Sequence, residues 1–387
     1  MRAVVVHDGQ LSVTELEMPT PGAGQLLVKV TRSGICGSDL HARVHCDASA
    51  DVTAEVGYQH FMRRADTVVM GHEFTGEVVS YGPGCHERWA PGTPVVTLPM
   101  IVTDGVIQLT GLSPLAPGGY AEYAVVQEDF TMEVPAGVDP DHAALTEPLA
   151  VARRAVGRGN VKRKDLCYVI GCGPIGLAVI LMLKAAGVKT IVASDYSAAR
   201  RRLAEECGAT VVVDPRTSSP WTAVDDDRYY LDATTYFGFA ADTMHQLRRV
   251  PRLPWAKVMR VAERVGAAPR GPVVFECVGL PGVIEDIVTH APLLSRIVVV
   301  GVCMEPDTFR PTMANAKELE LRFSFSYSPA EFYETLQMIA GGKVDPSPLV
   351  TAVIGLDGVP EAFDELGRAD HQAKVLVNPD LEGVSLT

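Results

Sequence analysis

A glycine-rich turn near the middle of the chain limits the folds that it can adopt. The turn follows a short apolar strand at residues 167–170 and opens a helix predicted at 177–186. In such a turn the first glycine allows a sharp bend, the second admits a pyrophosphate, and the third lets the helix pack close to the strand. The amino terminus of the helix offers free N–H groups and a positive dipole to the phosphates. The turn consists of Gly171, Cys172, Gly173, Pro174, Ile175 and Gly176.

The residues that follow the turn alternate between predicted strands and helices. This alternation is typical of a parallel, doubly wound sheet with helices on both faces. We therefore predict an α/β domain of the Rossmann type over residues 151–324. Its further predicted elements are strands at 190–194, 211–213, 273–277 and 297–300 and a helix at 198–207.

A carboxylate at the end of the second predicted strand indicates which dinucleotide is bound. Asp195 lies 19 residues after Gly176, where a carboxylate accepts hydrogen bonds from the ribose hydroxyls and repels a 2′-phosphate. This favours NAD over NADP. Alternatively, Asp195 only caps the helix that begins near Ser197, and Arg200 is either a solvated helix residue or a ligand of a 2′-phosphate. The predicted cofactor-binding residues are the turn, with Asp195, Arg200, Val300 and Val302.

The first 150 residues have a different character and are predicted to be all-β. Short β-rich runs alternate with Pro-Gly turns, which suggests a barrel-like domain. Residues 325–387 are predicted to complete this domain, with a closing strand at 374–377. The β-rich runs lie at 28–31, 76–80, 94–98 and 120–126.

Residues 216–270 are too long for a simple connection between two strands. Helices are predicted at 244–250 and 255–265, separated by Pro251 and Pro254. The segment is either a plain surface insertion, an oligomer contact or a flap over the cofactor.

Length and charge exclude several classes of protein. A chain of 387 residues is long enough for two domains. Its net charge of −13 argues against nucleic acid or an anionic membrane as partner, and no apolar run approaches the roughly 20 residues of a membrane span. Because the first residues resemble a strand and not a signal peptide, we expect a cytoplasmic protein. The eight scattered cysteines contain no CxxC pair and indicate buried thiols.

Four residues in the first half of the chain could form a metal site. Cys36, His72, Glu73 and Glu147 offer one thiolate, one imidazole and two carboxylates, which is a plausible zinc set. Taken singly, Cys36 reads as a buried thiol, His72 as a core histidine and Glu147 as a helix-start carboxylate. Taken together with the glycine turn, they indicate metal-assisted hydride transfer.

Four motifs follow one another along the chain: residues 34–41, from Gly34 to His41, residues 71–78, from Gly71 to Val78, residues 147–149, and the glycine turn. Through these motifs the chain resembles the zinc-dependent medium-chain alcohol dehydrogenases over essentially its whole length. In having Glu147 where many members have cysteine, the chain is similar to the polyol, butanediol and threonine dehydrogenase branch. The resemblance implies a GroES-like β-barrel catalytic domain beside the Rossmann domain, with zinc in the cleft between them.

The resemblance also implies roles for individual residues. Zinc would be held by Cys36, His72 and Glu147, with Glu73 exchanging with water or substrate. In another arrangement Glu73 binds the zinc and Glu147 is hydrogen-bonded to its water.

Two further residues would pass the alcohol proton to solvent. Ser38 would lie beside the reacting oxygen, and His41 would carry the proton outward. Alternatively, Ser38 is only the N-cap of a helix and His41 only an exposed polar residue.

The predicted activity is reversible, NAD-dependent oxidation of a secondary alcohol, diol or polyol. One catalytic zinc is expected. The structural zinc that many relatives hold with four closely spaced cysteines is not expected, because residues 99–119 contain no cysteine. The partners expected are a small-molecule substrate and further copies of the chain, as a homodimer or homotetramer. The alternatives are a zinc-free reductase acting on activated double bonds and a non-catalytic NAD-binding protein.

Overall fold

The computed structural model describes residues 1–265, 267–367 and 372–382, which contain two β-rich regions joined by helices. The strands are β1 (Arg2–His7), β2 (Gln10–Glu15), β3 (Gln25–Gly34), β4 (Val68–Val69), β5 (Glu73–Tyr81), β6 (Pro94–Thr97), β7 (Met100–Thr103), β8 (Val106–Leu109), β9 (Tyr123–Gln127), β10 (Thr131–Glu133), β11 (Leu166–Ile170), β12 (Thr190–Ser194), β13 (Val211–Val213), β14 (Val273–Glu276), β15 (Arg296–Val299), β16 (Glu320–Phe323), β17 (Val350–Ile354) and β18 (Lys374–Val377).

The helices connect these strands and cover the second region. They are α1 (Gly37–Glu55), α2 (Pro140–Ala144), α3 (Thr146–Arg158), α4 (Pro174–Ala185), α5 (Ala198–Cys207), α6 (Ala233–Arg249), α7 (Trp255–Arg264), α8 (Val283–His290), α9 (Pro311–Ala316), α10 (Pro329–Ala340) and α11 (Val359–Leu366), with 3-10 turns at Glu128–Phe130, Pro220–Thr222, Ser347–Leu349 and Leu356–Gly358.

The first region is organised around β3. A seven-stranded sheet runs in the order β10-β6-β5-β3-β18-β17, with β9 also paired to β3. Strand β3 pairs antiparallel with β5, β9 and β18, so the last strands of the chain join the sheet formed by its first half. A second sheet, β2-β1-β4, packs beside it. Elements from both ends of the sequence therefore meet at the end of β3.

The second region is a six-stranded parallel sheet in the order β13-β12-β11-β14-β15-β16. The strand order reverses between β11 and β14, and in open parallel sheets ligands bind at the carboxyl ends of such a switch point. The predicted strands at 190–194 and 211–213 and the helix at 198–207 are confirmed. Helix α4 begins three residues earlier than predicted, because Pro174 is well suited to the first turn.

One hydrophobic core connects the two regions. Leu145 and Leu149, around the start of α3, pack in the same buried cluster as Leu177 of α4 and Leu376 of β18. Helix α3 spans residue 150, so the predicted boundary lies inside a helix. The domain limits at 150 and 324 remain predictions.

The segment between β13 and β14 contains two helices that contribute nothing to the core. No residue of α6 or α7 is buried. Helix α7 ends one residue before the predicted limit, and the helix predicted at 244–250 forms the last turns of the longer α6, which ends at Arg249. Helix α6 begins eleven residues earlier, because the Asp232 side chain accepts a hydrogen bond from Thr235 N and caps it. Within the described residues, no helix is long and apolar enough to cross a membrane.

Candidate metal and cofactor site

The turn between β3 and α1 presents Cys36 at the start of the helix. Cys36 is the N-cap residue, and its backbone N–H donates to Asp39 Oδ2 at 3.1 Å. The alternative in which Ser38 is the N-cap is therefore wrong, because Ser38 lies inside the first turn. Its hydroxyl is instead 3.2 Å from His72 Nε2.

The His72 ring is oriented by a buried carboxylate. Nδ1 lies 3.1 Å from Asp39 Oδ1, although the two atoms are not aligned as a hydrogen bond. Asp39 is fully buried, and its Oδ2 is 2.5 Å from the hydroxyl of Tyr120. A carboxylate behind one ring nitrogen fixes the tautomer of a metal-binding histidine. The free nitrogen is Nε2, which faces Ser38.

Burial and charge act in opposite directions on this pair. Burial raises the pKa of Asp39, but the charge of the nearby His72 and hydrogen bonds from the Tyr120 hydroxyl and Cys36 N outweigh burial and hold the pKa below its ordinary value. Burial lowers the pKa of His72, and the charges of Asp39 and Cys36 outweigh this and raise it well above the usual range. A metal ion at Nε2 would take the place of a proton there, so metal binding would be coupled to proton release.

The sequence Gly71-His72-Glu73 is held in an unusual backbone shape. Gly71 has a φ of +95°, and a Cβ there would lie 2.7 Å from a ring carbon of Tyr120. Only glycine fits a left-handed position with so little space. The bend carries His72 to the metal cluster and starts β5 at Glu73.

Glu73 is fully buried against a lysine from the far end of the chain. Lys374 Nζ donates to Glu73 Oε1 at 2.7 Å and to Oε2 at 2.6 Å, and also to the carbonyl of Ile35 at 3.2 Å. Burial lowers the pKa of Lys374, but Glu73 and Cys36 more than offset this and raise it above its ordinary value. The ammonium therefore balances the charge of Glu73.

Glu147 lies in the first turn of α3 and is also buried. Burial raises the pKa of its carboxyl to about 7; the neighbouring charge of Glu73 adds to this, whereas His72 and a hydrogen bond from Tyr327 oppose it. Tyr327, on the connection before α10, is half-buried beside it. Glu147 thus lies close enough to His72 and Glu73 to feel their charges, and it is hydrogen-bonded to Tyr327, a residue that sequence reasoning missed.

Three of the four predicted ligands come together within metal-binding range. The ligand atoms of Cys36, His72 and Glu73 all lie within 4.8 Å of one another. Among the described residues Glu147 is outside this cluster. A thiolate, an imidazole nitrogen and a carboxylate oxygen around one point suit Zn²⁺, which prefers this mixture of ligands.

His41 lies one turn beyond Ser38 on α1. Its ring is half-buried and 6.5 Å from the ring of His45. Burial, and then the charge of His45, lower the pKa of His41 below its ordinary value. At neutral pH the ring is therefore uncharged and able to accept a proton.

The glycine turn has the geometry of a phosphate-binding loop. Gly171 has a φ of +89°, and a Cβ on Gly176 would lie 1.9 Å from the carbonyl oxygen of Gly171, so neither position accepts a side chain. Helix α4 begins directly at Pro174 and Ile175, after Gly173. Its amino terminus therefore points at the loop, as anion binding requires.

Asp195 connects this loop to the second strand. Its Oδ2 accepts from Cys172 N at 2.8 Å and its Oδ1 from Ser197 N at 2.7 Å. The N-cap of α5 is Ser197 and not Asp195, so the capping alternative is wrong. Arg200 lies over the loop, with Nη1 3.9 Å from a Cβ built on Gly173.

The two valines predicted to bind cofactor differ in exposure. Val300 is buried at the end of β15, whereas Val302 is half-exposed on the following loop. A Cβ on Gly279 would lie 2.7 Å from Val302 N, so this loop packs closely on the loop after β14. Both loops follow carboxyl ends of the parallel strands, the edge at which the glycine turn lies.

The site contains four residues that the sequence did not single out. Asp39 lies inside a recognised motif, and a polar residue three positions after Cys36 was a usable signal. The lysine in the otherwise apolar strand β18 was a weaker signal, and the two tyrosines gave no signal in the sequence. The four are Asp39, Tyr120, Tyr327 and Lys374.

Comparison with known proteins gives concordant matches. Residues 22–136 match the alcohol dehydrogenase GroES-like domain, and residues 174–239 match the zinc-binding dehydrogenase family. The chain is 31% identical to (R,R)-butanediol dehydrogenase of Bacillus subtilis (strain 168), over 98% of this chain and 100% of that protein. It is 26% identical to sorbitol dehydrogenase of Halalkalibacterium halodurans, over 96% of each.

Solved structures agree with these matches. The crystal structure of 2R,3R-butanediol dehydrogenase from Bacillus subtilis superposes with a TM-score of 0.73 at 30% identity, covering 98% of this chain and 99% of that one. A zinc-binding dehydrogenase from Sinorhizobium meliloti 1021 bound to NADP gives a TM-score of 0.75 at 27% identity, with the same coverage. The predicted GroES-like and Rossmann architecture is thereby confirmed. The chain belongs to the zinc-dependent medium-chain alcohol dehydrogenase family, in the branch of the butanediol and sorbitol dehydrogenases.

Proposed function

We propose that this protein oxidises a secondary alcohol, diol or polyol to the carbonyl compound with NAD, reversibly and with one catalytic zinc. The observation that carries the proposal is the convergence of Cys36, His72 and Glu73, with Glu147 facing them. Relatives named as butanediol and sorbitol dehydrogenases support the substrate class. Expected partners remain the small-molecule substrate and further copies of the chain.

Cys36 and His72 are the fixed ligands. Asp39 lies beside Nδ1 of His72, so Nε2 is the nitrogen that would hold the metal. When bound, the zinc supplies a Lewis acid that lowers the pKa of a substrate hydroxyl. The protein contributes a dry, preorganised ligand set, because His72 and Glu73 are both buried.

The third ligand is a carboxylate, and the structure supports two arrangements. Glu73 lies within the cluster but is bound by Lys374, whose positive charge balances the negative charge of this carboxylate. Glu147 lies outside the cluster, in contact with Tyr327. Zinc affinity of Glu73→Ala and Glu147→Ala distinguishes the arrangements, because the loss should be larger for the direct ligand.

Ser38 and His41 form the route for the proton. The Ser38 hydroxyl is 3.2 Å from His72 Nε2. A metal bound to Nε2 would replace this contact and leave the hydroxyl next to the metal-binding position, where it could take up the substrate proton. His41 follows at a spacing of three residues, which places both side chains on one face of α1. Its lowered pKa keeps it neutral and able to receive the proton.

The glycine turn and Asp195 hold the cofactor. The loop presents backbone N–H groups to the pyrophosphate, and Asp195 is anchored by Cys172 N and Ser197 N with its carboxylate at the end of β12. A negative charge there disfavours a 2′-phosphate and supports NAD. Arg200 is the residue that would accommodate a 2′-phosphate, and a relative bound to NADP makes a comparison of both cofactors necessary.

Metal content and turnover together test this function. Elemental mass spectrometry of protein purified without chelator should give one zinc per chain, and NADH should form with a diol or polyol. Cys36→Ser should lose both zinc and turnover but still bind NAD, whose site lies in the other sheet. A metal-free, folded protein that reduces activated double bonds would instead indicate a zinc-free reductase. Metal-free protein that binds NAD without turnover would indicate a non-catalytic role.

A further inference from the structure

A buried carboxylate lies at the carboxyl end of β14, away from the candidate metal site. Glu276 is the last residue of this strand and is only 1% exposed. Its Oε1 accepts from Val278 N at 2.7 Å and from Gly279 N at 2.8 Å. Among the described residues it forms no ion pair. Because a buried charge is costly unless it is paired, a carboxylate held by backbone N–H groups alone calls for a reason other than stability.

Glu276 lies between the loops that follow β14 and β15. Its second carboxylate oxygen faces the loop after β15, because a Cβ built on Gly301 would lie 2.8 Å from Oε2. The main chain makes the same link, since Val300 N and Gly301 N donate to Glu276 O at 2.9 Å and 3.0 Å. The loops also touch each other, because a Cβ on Gly301 would lie 2.3 Å from Gly279 N. The carboxylate is therefore enclosed by backbone from both loops.

The hydrogen bonds around Glu276 favour its ionised form. Burial raises the pKa of this carboxyl above its ordinary value, although backbone N–H groups of both loops oppose the rise. The nearby charge of Asp307 adds to the rise. An N–H group only donates, so each of these contacts stabilises the carboxylate and none accepts a proton from a carboxylic acid. The arrangement is therefore that of a carboxylate whose negative charge no ion pair among the described residues cancels.

The glycine turn relates Glu276 to the cofactor. A Cβ on Gly171 would lie 2.6 Å from Val278 Cγ2, so the turn packs directly on the residues after β14. In the proposed function the pyrophosphate lies on the glycine turn and the adenosine ribose lies at Asp195, at the end of β12. Strands β12 and β14 flank β11 on opposite sides. A cofactor that crosses this switch point therefore places its nicotinamide over the ends of β14 and β15.

We infer that Glu276 sets the balance between oxidised and reduced cofactor on the enzyme, an inference that rests on the proposed function. The nicotinamide ring carries a positive charge in NAD⁺ and none in NADH. A fixed negative charge beneath the ring attracts only the oxidised form, and burial leaves this attraction weakly screened by water. Since an equilibrium shifts by the differential affinity for its two states, Glu276 favours hydride transfer from bound NADH to the carbonyl compound.

The dissociation constants of NAD⁺ and NADH, measured by calorimetric titration of the zinc-loaded, full-length protein, test this inference. Glu276→Gln keeps the shape of the side chain and removes its charge. It should raise the dissociation constant of NAD⁺ at least about threefold more than that of NADH. Asp286→Asn removes a charge from an exposed position of α8 and, as the matched control, should leave the ratio of the two constants unchanged. A purely structural role would weaken both forms equally, so an unchanged ratio in folded Glu276→Gln would overturn the inference.

Two further variants separate charge from shape. Glu276→Asp keeps the charge on a shorter side chain, so both affinities should fall together with the ratio retained. A ratio that moves as far as in Glu276→Gln would overturn the inference.

Asp307→Asn tests the same field if Glu276→Gln does not fold. Asp307 Oδ1 accepts from Gly282 N at 2.9 Å and Thr308 N at 2.8 Å, and an asparagine oxygen can accept from both. The ratio should shift against NAD⁺, by less than in Glu276→Gln, and an unchanged ratio would contradict the inference. Wild-type protein that binds neither form of the cofactor would overturn the proposed function as well.

Discussion

Lys374 binds both carboxylate oxygens of Glu73, across 301 positions of sequence and in a place where neither side chain meets water. The pair fastens β18 to β5 through the end of β3. A buried ion pair is costly to break from one side, because the remaining charge is left without a partner. Its integrity therefore governs both the stability of the catalytic region and the position of a candidate metal ligand.

Removing the lysine should destabilise the protein strongly. Lys374→Met is expected to lower the free energy of unfolding by about 3–5 kcal/mol, because Glu73 remains buried and charged. Lys29→Met removes an exposed ion pair with Asp380 and should cost no more than about 1 kcal/mol. Urea unfolding of the metal-free proteins measures both. Equal losses of unfolding free energy in the two variants would show that the buried ion pair stabilises the protein no more than the exposed pair does.

Asp39→Asn should weaken zinc binding while leaving the ligands in place. The asparagine cannot orient the imidazole with a negative charge, and such partners are worth about 10- to 100-fold in metal affinity. Competition with a chelator of known affinity gives the dissociation constant directly. Asp47→Asn, an exposed position later in α1, is the control and should bind zinc as the wild type does. An unchanged affinity for the Asp39 variant would contradict the role of the carboxylate.

The rate of alcohol oxidation should fall at low pH as His41 becomes protonated. Its neutral form accepts the proton, so turnover falls as the pH drops through its pKa. Burial and the charge of His45 lower that pKa, and His45→Gln removes the second cause and should raise it. The acid limb of kcat/KM is then expected to move to higher pH with the plateau retained. A limb that keeps its position, or moves to lower pH, would remove His41 from the proton route.

Asp195→Asn should lower the affinity for NAD. The amide oxygen can accept from only one of Cys172 N and Ser197 N, and the charge beside the ribose is lost. Hydrogen bonds to charged groups contribute about 1.5–3 kcal/mol, so the dissociation constant should rise about 10- to 100-fold, while that for NADP rises less. Fluorescence titration with both cofactors measures this. Glu205→Gln, exposed on α5, should change neither, and an unaltered preference in the Asp195 variant would contradict the assignment.

The predictable parts of the structure are those encoded by neighbouring residues. The strand at 190–194, the helix at 198–207 and the glycine turn depend on local periodicity and backbone freedom, which the sequence displays directly. The ligands Cys36, His72 and Glu73 lie in short motifs whose residue types carry the chemistry. Their convergence rests on the resemblance to a family, because spacing alone does not bring residues 36 and 72 together.

The sequence analysis missed contacts between residues that are far apart in the sequence. It also missed the first part of α6, whose side chains are not buried. Nothing near Lys374 in the sequence indicates that it meets Glu73. Its positive charge nevertheless balances the Glu73 carboxylate at the candidate metal site. Tyr120 and Tyr327 look like ordinary aromatic residues until the fold brings them to Asp39 and Glu147. Helix α6 was predicted too short because no apolar face of it enters the core, so periodicity gave no signal and only the cap at Asp232 marks its start.

The placement of β18 beside β3 has a consequence for protein synthesis. A nascent chain that has not yet emerged from the ribosome beyond residue 374 lacks the cation for Glu73 and the strand that borders the end of β3. The ligands Cys36 and His72 are therefore translated long before their surroundings are complete. We therefore expect the metal site to be completed only after the end of the chain has been made, and chains truncated before residue 374 to fold incompletely and to be degraded more readily.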